Sequence, residues 1–440
     1  MADCTQFGGA SYIRWFNSAP TGIQLLISNV VIDKSKNNKK RILYCESNFD
    51  GTVGGSYYSL LFLATGLDQS KFEPVVVFRK STRFIEEFRK LGVTTHIIPH
   101  PRPLAFKVPD SATSIFYRIS FPGLRIIQKA INFIRFLPIA AIKCAWMIRR
   151  DRIDLVHLNN SIIRNNEWML GAQLARVPAI THERGINDEY PRLARYYARK
   201  LDCVICISQA VRENLLDKGV EPRRTETIYN GIDPDLMRIT QDAATVRSAH
   251  GISTDAKVIG VMGNIREWKG QETAVRAMPT ILKYHPNTIC LFVGDVSPSD
   301  QYYYDDLVQL IKDLGLENKV VFTGYTDQVA NYLGALDIML HTSIRPEPFG
   351  RVLIEAMSLQ TPIVGAAAGA VPEIIDNGTS GYTFQPGDAS DLSEKVIQML
   401  DDSERSARMA GIGYHRLLKY FHIKSNVKLT QSLYQEILNC

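Results

Sequence analysis

The fold of this chain is read most directly from Ser343-Ile-Arg-Pro-Glu347-Pro-Phe-Gly-Arg351-Val-Leu-Ile-Glu355-Ala-Met357. Two glutamates stand eight positions apart in this stretch, and an apolar helical pattern begins at Gly350. Because prolines flank the first glutamate on both sides, the helix cannot extend backwards over it. Glu347 is therefore predicted in a stiff turn and Glu355 in a helix. Two carboxylates placed in this way can bind hydroxyl groups of a ligand.

The polar residues of this helix are Arg351, Glu355 and Ser358, and helical spacing puts them on one face. Glu347 is expected to overhang the site that Glu355 faces. The alternative is an amphipathic surface helix in which Arg351 and Glu355, four positions apart, form an ion pair of about 0.2–0.5 kcal/mol. The stretch taken alone fits both interpretations.

Chain length and composition predict a two-domain globular protein. The 440 residues exceed one ordinary core and suggest two domains of about 200 residues each. The seven cysteines are scattered and odd in number, which gives no disulfide framework and favours a reducing compartment. Cys203 and Cys206 lie in an apolar run that is typical of a buried strand, so core packing is favoured over redox or zinc chemistry.

Residues 1–40 are interpreted as an N-terminal extension and linker. No basic segment followed by an apolar run and a small-residue cleavage site occurs there, so neither a signal peptide nor a membrane span is predicted. Residues 33–40 read Asp-Lys-Ser-Lys-Asn-Asn-Lys-Lys, which is typical of a solvated linker.

Short β-branched runs alternate with helical patterns from residue 41 onward. They are residues 42–46, 74–78, 95–98, 153–158, 178–182 and 203–207, and then residues 257–262, 288–294, 319–323, 336–341 and 361–365. This rhythm predicts βαβ units in two doubly wound, parallel α/β domains. Turn signals at Asn230-Gly231-Ile-Asp233-Pro234 place the boundary between residues 41–230 and 231–415. Residues 416–440 are predicted to form a C-terminal helix that packs back across the domains.

In open parallel sheets ligands bind beyond the carboxyl ends of the strands, and several polar motifs fall there. Residues 261–271 leave the first strand of the second domain, with Gly263 in the exit turn and Arg266 and Lys269 next to a helix N-terminus. Backbone amides, the helix dipole and these cations are what a diphosphate requires. The alternative is an ordinary βα loop with solvated basic residues.

Three further motifs follow strands of the first domain. A glycine-rich loop at residues 51–55 precedes a helix and lets backbone approach a ligand, although an empty flexible loop is the alternative. Two strands end at histidines that are followed by polar residues. The candidate residues of this domain are Gly54, Gly55, His157, Asn159, His182, Glu183 and Arg184.

The segment of residues 117–152 mixes large apolar residues with eight lysines and arginines, and Asp151 is its only acid. That composition is typical of a basic amphipathic helix at an anionic membrane surface, which we predict for residues 117–150. Pro138 is expected to divide the segment into two pieces. The alternative is a core helix with a solvated basic back. Nucleic acid is not expected as a partner, since no binding motif accompanies the basic residues.

Taken together, these motifs resemble the retaining glycosyltransferases of family 4. The resemblance covers roughly residues 41–420, and its strongest element is the pair Glu347 and Glu355, which is similar to that family's E-x7-E signature. It implies the glycosyltransferase-B fold, with two facing Rossmann-like domains and a cleft between them. Supporting elements in the same order are Gly54-Gly55, Ser208 at a helix start, Asn230-Gly-Ile-Asp233, Lys269-Gly270, and the run from Gly369 through Glu373 to Asp388.

The resemblance also implies roles. Glu347 would contact donor-sugar hydroxyls beside amides near Phe349 and Gly350, while Glu355 would hold the nucleotide ribose and Lys269 the diphosphate. The implied catalytic residues are Glu347, Lys269, Arg266 and His157; the donor-binding residues are Gly263, Asn264, Ser343, Phe349, Gly350, Arg351, Glu355, Gly324 and Tyr325; and the acceptor-side residues are Gly54, Gly55, Asn159, His182, Glu183 and Arg184. The chain departs from the family at Asn264, where a basic residue is common, at Asn159, where a histidine is frequent, and at Ala370, where glycine is usual.

The expected activity is transfer of a sugar from a nucleotide-sugar donor to a hydroxyl of a glycan or lipid-linked acceptor, in polysaccharide or glycolipid synthesis. Retention of configuration is implied, with no metal or other cofactor, because cations and helix amides stabilise the leaving diphosphate. A cytoplasmic enzyme, peripheral on the inner face of the membrane, is expected. The alternatives are an inverting transferase, a nucleotide-sugar epimerase, or a non-catalytic carbohydrate-binding subunit. No G-x-G-x-x-G follows a predicted strand, which disfavours a dehydrogenase.

Overall fold

The computed structural model describes residues 39–47, 55–81, 84–99 and 127–439. Residues 1–38 of the predicted extension, Gly54, and residues 117–126 of the basic segment lie outside these ranges. The chain divides into two compact units. The N-terminal unit comprises the described residues of Lys34–Cys206, Arg212–Thr227 and Leu429–Cys440, and the C-terminal unit comprises Ile207–Val211 and Ile228–Lys428. The predicted domain limits at residues 230 and 415 stay predictions.

The N-terminal unit is built on a parallel sheet whose strands run in the order β3-β2-β1-β4-β5-β6-β7. Strands β1, β4 and β5 are buried along their length or nearly so, which is why they read as continuous apolar runs. The strands are β1 (Lys40–Glu46), β2 (Phe72–Phe78), β3 (Thr94–Ile97), β4 (Leu155–Leu158), β5 (Ala179–Glu183), β6 (Cys203–Cys206) and β7 (Thr225–Thr227).

The C-terminal unit has its own parallel sheet, in the order β10-β9-β8-β11-β12-β13. Its core joins apolar residues of the central strands to the helices that cover them, such as Ile259, Phe292 and Met278. The strands are β8 (Lys257–Met262), β9 (Thr288–Val293), β10 (Val320–Gly324), β11 (Ile338–His341), β12 (Ile363–Ala366) and β13 (Tyr382–Phe384).

Helices connect these strands in both units. They are α1 (Gly55–Gly66), α2 (Phe84–Lys90), α3 (Ile127–Arg150), α4 (Asn166–Ala175), α5 (Arg192–Ala198), α6 (Gln209–Asp217), α7 (Ala243–Ser248), α8 (Gln271–Tyr284), α9 (Gln301–Asp313), α10 (Val329–Ala335), α11 (Arg351–Ser358), α12 (Val371–Ile374), α13 (Ala389–Asp401), α14 (Ser403–Arg416) and α15 (Ile423–Leu438). The C-terminal helix predicted within residues 416–440 is confirmed as α15, and a π-helical turn at Leu417–Phe421 precedes it.

The two parallel α/β sheets predicted from the strand rhythm are confirmed, and each predicted strand is present within about two residues of its expected bounds. Two strands were missed, β7 and β13. Each has three residues and lies at an edge of its sheet, so neither carries the long β-branched run that marks a central strand. Cys203 and Cys206 are buried in β6 as free thiols, which confirms the core-packing interpretation.

The basic segment forms one helix over its described part, and the predicted break at Pro138 is wrong. A π-helical turn at Arg135–Ile139 accommodates the proline, because the wider turn removes the need for an amide hydrogen at that position. Residues on one side of α3, including Leu137, Ala141 and Ile148, are buried in the N-terminal unit. Helix α3 packs mainly on α4.

Among the described residues, α3 is one helix long and apolar enough to cross a bilayer by length and composition. Only 28% of its apolar window is buried. Its buried side packs on a sheet domain, and its exposed side carries the large apolar residues Ile131, Phe133, Ile134, Ile139, Ile142 and Trp146. The exposed side of α3 is therefore apolar as well as basic.

Gly171 sets how closely α3 and α4 approach each other. A Cβ atom at this position would lie 2.7 Å from Cys144 Cβ and 3.1 Å from the Ala141 carbonyl oxygen. Substitution by alanine must therefore push the helices apart, although alanine is the better helix former.

We expect Gly171→Ala to destabilise the N-terminal unit by more than the helix-propensity gain of about 1 kcal/mol. The matched control is Gly411→Ala in α14, where the nearest atom to an added Cβ is Gln360 Oε1 at 3.9 Å, so the propensity gain should be realised. Urea unfolding of the three proteins measures both effects. Equal stability changes for the two variants would contradict close packing at Gly171.

Candidate functional site

Three loops of the C-terminal unit meet beyond the carboxyl ends of neighbouring strands. They follow β8, β11 and β12, which are adjacent in the order β8-β11-β12. Parallel strands bring these exits to one edge of the sheet, so residues that are far apart in sequence become neighbours. The loops contain the predicted diphosphate motif, the predicted sugar-binding turn and the segment that begins at Ala367.

The first two loops are held together by backbone contacts. Gly270, which precedes α8, has φ +65°, and a Cβ atom there would lie 2.2 Å from the Thr342 carbonyl oxygen. Thr342 Oγ1 donates to the Lys269 carbonyl oxygen at 2.8 Å, and the Ile344 amide donates to the Trp268 carbonyl oxygen at 2.9 Å. Only glycine fits position 270, and the result is a fixed position for Lys269.

The third loop holds the backbone of Glu347. The Ala370 amide donates to the Glu347 carbonyl oxygen at 2.9 Å, and a Cβ atom on Gly369, at φ +62°, would lie 2.3 Å from that oxygen. Ala370 itself has φ −79°, an ordinary helical value. The departure from the family's glycine at position 370 therefore carries no backbone strain.

The carboxylate of Glu347 lies in a cluster of polar groups that converge on its Oε2 atom. Lys269 Nζ is 2.8 Å away, His341 Nε2 is 3.2 Å away and Ser343 Oγ is 3.3 Å away. Burial by itself raises the pKa of Glu347, but the His341 hydrogen bond and the Lys269 charge outweigh it, and the pKa falls to about 2. Glu347 is therefore a stable carboxylate at neutral pH.

The expectation that Glu347 overhangs the site is wrong, because its side chain is only 11% exposed and is paired with Lys269. The local sequence predicted the stiff turn correctly, but the anchoring of the turn by Gly369 draws the carboxylate inward. Lys269 also lies over the Trp268 ring, with Nζ 4.1 Å from its centroid. The structure thus brings together two predicted catalytic residues, Glu347 and Lys269.

The rest of the diphosphate motif is positioned less tightly. Arg266 is partly exposed, and its Nε lies 3.2 Å from Asp300 Oδ2 rather than in the Glu347 cluster. Gly263 has φ +133°, and Gly294 passes so close that a Cβ atom there would be 2.1 Å from the Gly263 carbonyl oxygen. Asn264 accepts a hydrogen bond at its carbonyl oxygen from Gln271 Nε2 at 3.0 Å.

The helix that carries Glu355 begins as predicted, after Gly350 at φ +84°. Arg351 Nη2 lies 3.2 Å from Glu355 Oε1, so the ion pair considered as an alternative is present. Phe349 is buried and contacts the rings of Tyr229 and Phe421, with centroids 6.4 and 5.9 Å away. It anchors the turn and leaves its neighbouring amides near Glu347.

Gly324 and Tyr325 lie at the end of β10, the edge strand of the same sheet. A backbone bridge joins Gly324 to Gly294, which in turn contacts the Gly263 loop. These two predicted donor-binding residues therefore lie at the edge formed by the carboxyl ends of the strands, to one side of the Glu347 cluster.

The start of α6 is also tied to the turn that carries Glu347. Ser208 Oγ donates to the Pro348 carbonyl oxygen at 2.7 Å. Glu373 accepts hydrogen bonds from the amides of Gln209 and Ala210, each at 2.7 Å, so its carboxylate caps this helix. These residues all belong to the C-terminal unit.

In the N-terminal unit the two strand-end histidines form a buried stack. His157 Nε2 lies 2.7 Å from His182 Nδ1, and the ring centroids are 4.7 Å apart. His157 Nδ1 lies 2.5 Å from the Tyr434 hydroxyl, which donates to the Tyr44 hydroxyl at 3.1 Å. Burial first and the Arg184 charge second lower the pKa of His157 to about 3 and that of His182 well below its usual value.

Both histidines are therefore neutral at physiological pH. Since each ring nitrogen of His157 already has a partner, His157 positions His182 in this arrangement. The catalytic role assigned to His157 stays a prediction. Such a role would act through His182.

Asn159 and Arg184 form a second network at the same edge. Arg184 donates to both the carbonyl and the side-chain oxygen of Asn159, at 2.6 and 2.9 Å. Asn159 Nδ2 donates to Glu46 Oε2 at 2.6 Å, and Asn160 Nδ2 donates to Glu46 Oε1 at 2.8 Å. Asn159, at the position where a histidine is frequent in the family, thus links Arg184 to the Glu46 carboxylate.

Glu183 is buried at the end of β5. Burial raises its pKa to about 7, although hydrogen bonds from Ser161 Oγ at 2.8 Å and the Ile162 amide at 3.2 Å favour the charged form. Gly55 begins α1 after the undescribed part of the glycine-rich loop. The predicted acceptor-side residues His182, Glu183, Arg184 and Asn159 therefore share one edge of the N-terminal sheet.

Sequence reasoning missed His341 and Tyr434. His341 ends a strand and is followed by polar residues, which is the signal that identified His157 and His182, so it could have been found. Tyr434 carries no such signal, because it lies in α15 and reaches His157 only through folding. Within the described ranges, no three His, Cys, Asp or Glu side chains are grouped to hold a metal ion.

Comparisons with known proteins cover both units. Residues 53–236 match the family model described as Glycosyltransferase Family 4, and residues 242–416 match that described as Glycosyl transferases group 1. An N-acetyl-alpha-D-glucosaminyl L-malate synthase of Bacillus anthracis is 28% identical over 68% of this chain and 78% of its own length. An uncharacterised glycosyltransferase of Methanocaldococcus jannaschii is 31% identical over 57% of this chain and 67% of its own length.

Solved structures share the fold at lower identity. The Anabaena protein HepE, crystallised with UDP, is 24% identical with a TM-score of 0.74, and the match covers 90% of this chain and 100% of that one. A glycosyltransferase of Rickettsia africae is 20% identical with a TM-score of 0.72, covering 91% and 99%. These likenesses match the expected two-sheet α/β fold over nearly the whole chain.

The pKa of Glu347 predicts how stability depends on pH. Because its pKa is lower in the folded chain than the ordinary 4.5, its charge stabilises the fold above that value, and the stabilisation is lost as pH falls. We expect the stability advantage of the wild type over Glu347→Gln to shrink by about 2 kcal/mol between pH 6 and pH 3.

Denaturant unfolding at several pH values measures this difference. The control is Glu317→Gln at an exposed position, for which the difference from wild type should stay within about 0.5 kcal/mol across the range. A wild-type advantage over Glu347→Gln that does not change with pH would contradict the charged cluster.

Proposed function

This chain belongs to glycosyltransferase family 4, as the resemblance of its motifs predicted, and we propose that it moves a sugar from a nucleoside-diphosphate donor to a hydroxyl of a glycan or lipid-linked acceptor. The activity class, a glycosyltransferase, follows from the family. A lipopolysaccharide core biosynthesis glycosyltransferase of Rhizobium meliloti is 27% identical over 53% of this chain and 64% of its own length, which supports a role in glycan or glycolipid synthesis.

The observation that carries the proposal is the cluster of Lys269, His341 and Glu347. Lys269 supplies a cation beside the start of α8, and that helix start supplies backbone amides for a diphosphate. When a diphosphate takes Lys269, Glu347 loses its ion-pair partner and becomes available to accept hydrogen bonds from sugar hydroxyls. HepE was crystallised with UDP, which supports a uridine nucleotide as the first candidate donor.

Glu355 is proposed to hold the ribose diol of the nucleotide. It lies one helical turn beyond Arg351, with which it is paired at 3.2 Å. Both side chains are partly exposed, and an ion pair of this kind contributes only a few tenths of a kcal/mol. A diol that donates two hydrogen bonds to the carboxylate can therefore displace Arg351 at small cost.

The proposed reaction retains the configuration of the transferred sugar and uses no metal ion. Lys269, assisted by Arg266 and amides at the start of α8, stabilises the charge that develops on the leaving diphosphate. The acceptor hydroxyl attacks the anomeric carbon from the face that the diphosphate leaves, and a diphosphate oxygen takes the proton. In this scheme Glu347 orients the sugar and is neither acid nor base, in agreement with a pKa of about 2.

We expect Glu355→Ala to weaken UDP binding by about 1.5–3 kcal/mol, because the ribose loses charge-assisted hydrogen bonds. Titration calorimetry with UDP measures this loss of affinity. Glu394→Ala removes an exposed carboxylate from α13 and should leave the affinity unchanged. Equal UDP affinities for wild type and Glu355→Ala would refute the assignment.

Screening nucleotide sugars for hydrolysis tests the identity of the donor. Following the anomeric proton of the product by NMR tests whether the configuration of the sugar is retained.

We also propose that the enzyme is a peripheral protein of the cytoplasmic membrane face that docks through α3. Its exposed side combines Ile142 and Trp146, which are 61% and 62% exposed, with Lys143 and Arg150. The Arg150 guanidinium lies 4.7 Å from the Trp146 ring centroid. An anionic lipid surface fits this face, because the apolar residues can enter the headgroup region while the cations bind phosphates.

We expect the protein to sediment with vesicles that contain anionic lipid at low salt and to be released at high salt. The double variant Ile142→Ser/Trp146→Ala should bind the vesicles at least about tenfold more weakly, since it removes two exposed apolar side chains that would enter the headgroup region. Leu429→Ser changes an exposed apolar residue elsewhere and serves as the control. Equal sedimentation of all three proteins would contradict docking through α3.

A further inference from the structure

His341, the last residue of β11, is a buried histidine beside the turn that carries Glu347. Its side chain is only 4% exposed. Nε2 of the ring lies 3.2 Å from Glu347 Oε2 and 3.4 Å from Ser343 Oγ. The other ring nitrogen, Nδ1, is buried and has no hydrogen-bond partner within the described part of the chain. Among the described residues, the ring therefore makes its polar contacts through Nε2.

The direction of the hydrogen bond follows from the chemistry of its two partners. A carboxylate only accepts hydrogen bonds, so His341 donates through Nε2 to Glu347. Ser343 Oγ, which lies 3.3 Å from the same carboxylate oxygen, is a second donor. These two residues belong to β11 and the segment directly after it, whereas Lys269 reaches Glu347 from the loop that follows β8. The carboxylate thus has two donors from one strand exit and a cation from another.

All three groups contact the same oxygen of Glu347. Lys269 Nζ is 2.8 Å from Oε2, and the His341 ring and the Ser343 hydroxyl contact that atom as well. Lys269 is the partner that the proposed reaction removes, since its ammonium group is proposed to bind the leaving diphosphate. A nearly buried carboxylate that loses its cation is costly unless other groups compensate its charge. His341 and Ser343 are the groups that remain in contact with it.

The pKa of Glu347 indicates how much His341 contributes. Burial raises this pKa, and the His341 hydrogen bond is the largest of the effects that lower it, ahead of the charge of Lys269. A hydrogen bond to the charged form of a carboxyl group favours that form. His341 can therefore keep Glu347 ionised when Lys269 is engaged elsewhere.

We propose that His341 is a positioning residue that keeps the Glu347 carboxylate charged and oriented while Lys269 binds the diphosphate. His341 holds Oε2, so Oε1 is left to accept hydrogen bonds from the donor sugar. This role rests on the proposed function, because Lys269 leaves Glu347 only when a diphosphate binds. The E-x7-E pattern does not include position 341, so the role is additional to those that the family resemblance implies.

Three substitutions separate this role from simple filling of space. His341→Leu keeps most of the side-chain volume and removes the donor. His341→Gln keeps an N–H donor on a side chain of similar length. His415→Leu is the matched control, since His415 is exposed on α14. A residue that only fills space would be replaced better by leucine than by glutamine, because leucine has no polar atoms that need partners when buried.

The first test uses no ligand. Lys269→Met represents the state in which the ammonium group has left Glu347, and urea unfolding measures the stability of further variants made in this background. We expect His341→Leu to raise the unfolding constant at least about tenfold, as for one lost hydrogen bond to a charged group. His341→Gln should raise it less, and His415→Leu should change it less than about twofold. Adding Glu347→Gln to Lys269→Met/His341→Leu should recover most of the loss, because a neutral amide costs less to bury.

The second test titrates the wild type, His341→Leu and His341→Gln with UDP by calorimetry and with uridine by saturation-transfer NMR. Without the His341 donor, Glu347 retains Lys269, so we expect UDP to bind His341→Leu at least about fivefold more weakly than the wild type. His341→Gln should bind UDP nearly as tightly as the wild type. Uridine has no diphosphate and should bind all three proteins equally.

Equal destabilisation by His341→Leu and His341→Gln, or a loss that Glu347→Gln does not recover, would overturn the proposal. Equal UDP affinities for wild type and His341→Leu, or parallel losses of UDP and uridine affinity, would overturn it as well. If UDP does not bind the wild type, the proposed donor is wrong, and the unfolding test alone decides the role of His341. The proposed function and the role of His341 can therefore fail separately.

Discussion

The turn that carries Glu347 is fixed by contacts to its backbone and by contacts to its carboxylate. The organisation of the C-terminal unit depends on these two sets of contacts. Gly369 and Ala370 fix the backbone, while Lys269 and His341 fix the carboxylate. Lys269 and the Gly369–Ala370 segment belong to the loops that follow β8 and β12, while His341 is the last residue of β11, the strand that precedes the turn. A buried carboxylate is stable here only because a cation and a hydrogen-bond donor compensate its lost hydration.

The two units differ in the charge state of their buried polar residues. In the C-terminal unit the cation Lys269 and the carboxylate Glu347 form a largely buried ion pair. In the N-terminal unit burial keeps the two stacked histidines neutral and raises the pKa of Glu183 to about 7. This division suits a reaction in which charge develops on the nucleotide and the acceptor contributes a neutral hydroxyl.

Helix α3 shows how one segment can satisfy two interpretations of its composition. Its small and apolar residues pack on α4, where Gly171 allows close approach, and its opposite side leaves Ile142 and Trp146 exposed. The π-helical turn at Pro138 keeps the helix continuous; its packed side begins at Leu137, while exposed apolar residues extend from Ile127 to Trp146. Both sides of α3 carry apolar residues. The distribution of apolar and basic residues in the sequence therefore does not show which side packs in the core and which is exposed.

Local signals were sufficient to predict the central strands, the helix after Gly350 and the family: β-branched runs, flanking prolines and two glutamates at fixed spacing. The sequence also located Lys269 and the strand-end histidines, since parallel strands must end at one edge. Folding alone decided which of these residues touch. The Glu347 backbone forms a bridge with Gly369, which lies 22 positions later in the chain, and this contact orients the carboxylate inward. Tyr434 contacts His157, from which it is separated by 277 positions. Such contacts rest on the packing of distant segments, for which no local pattern exists.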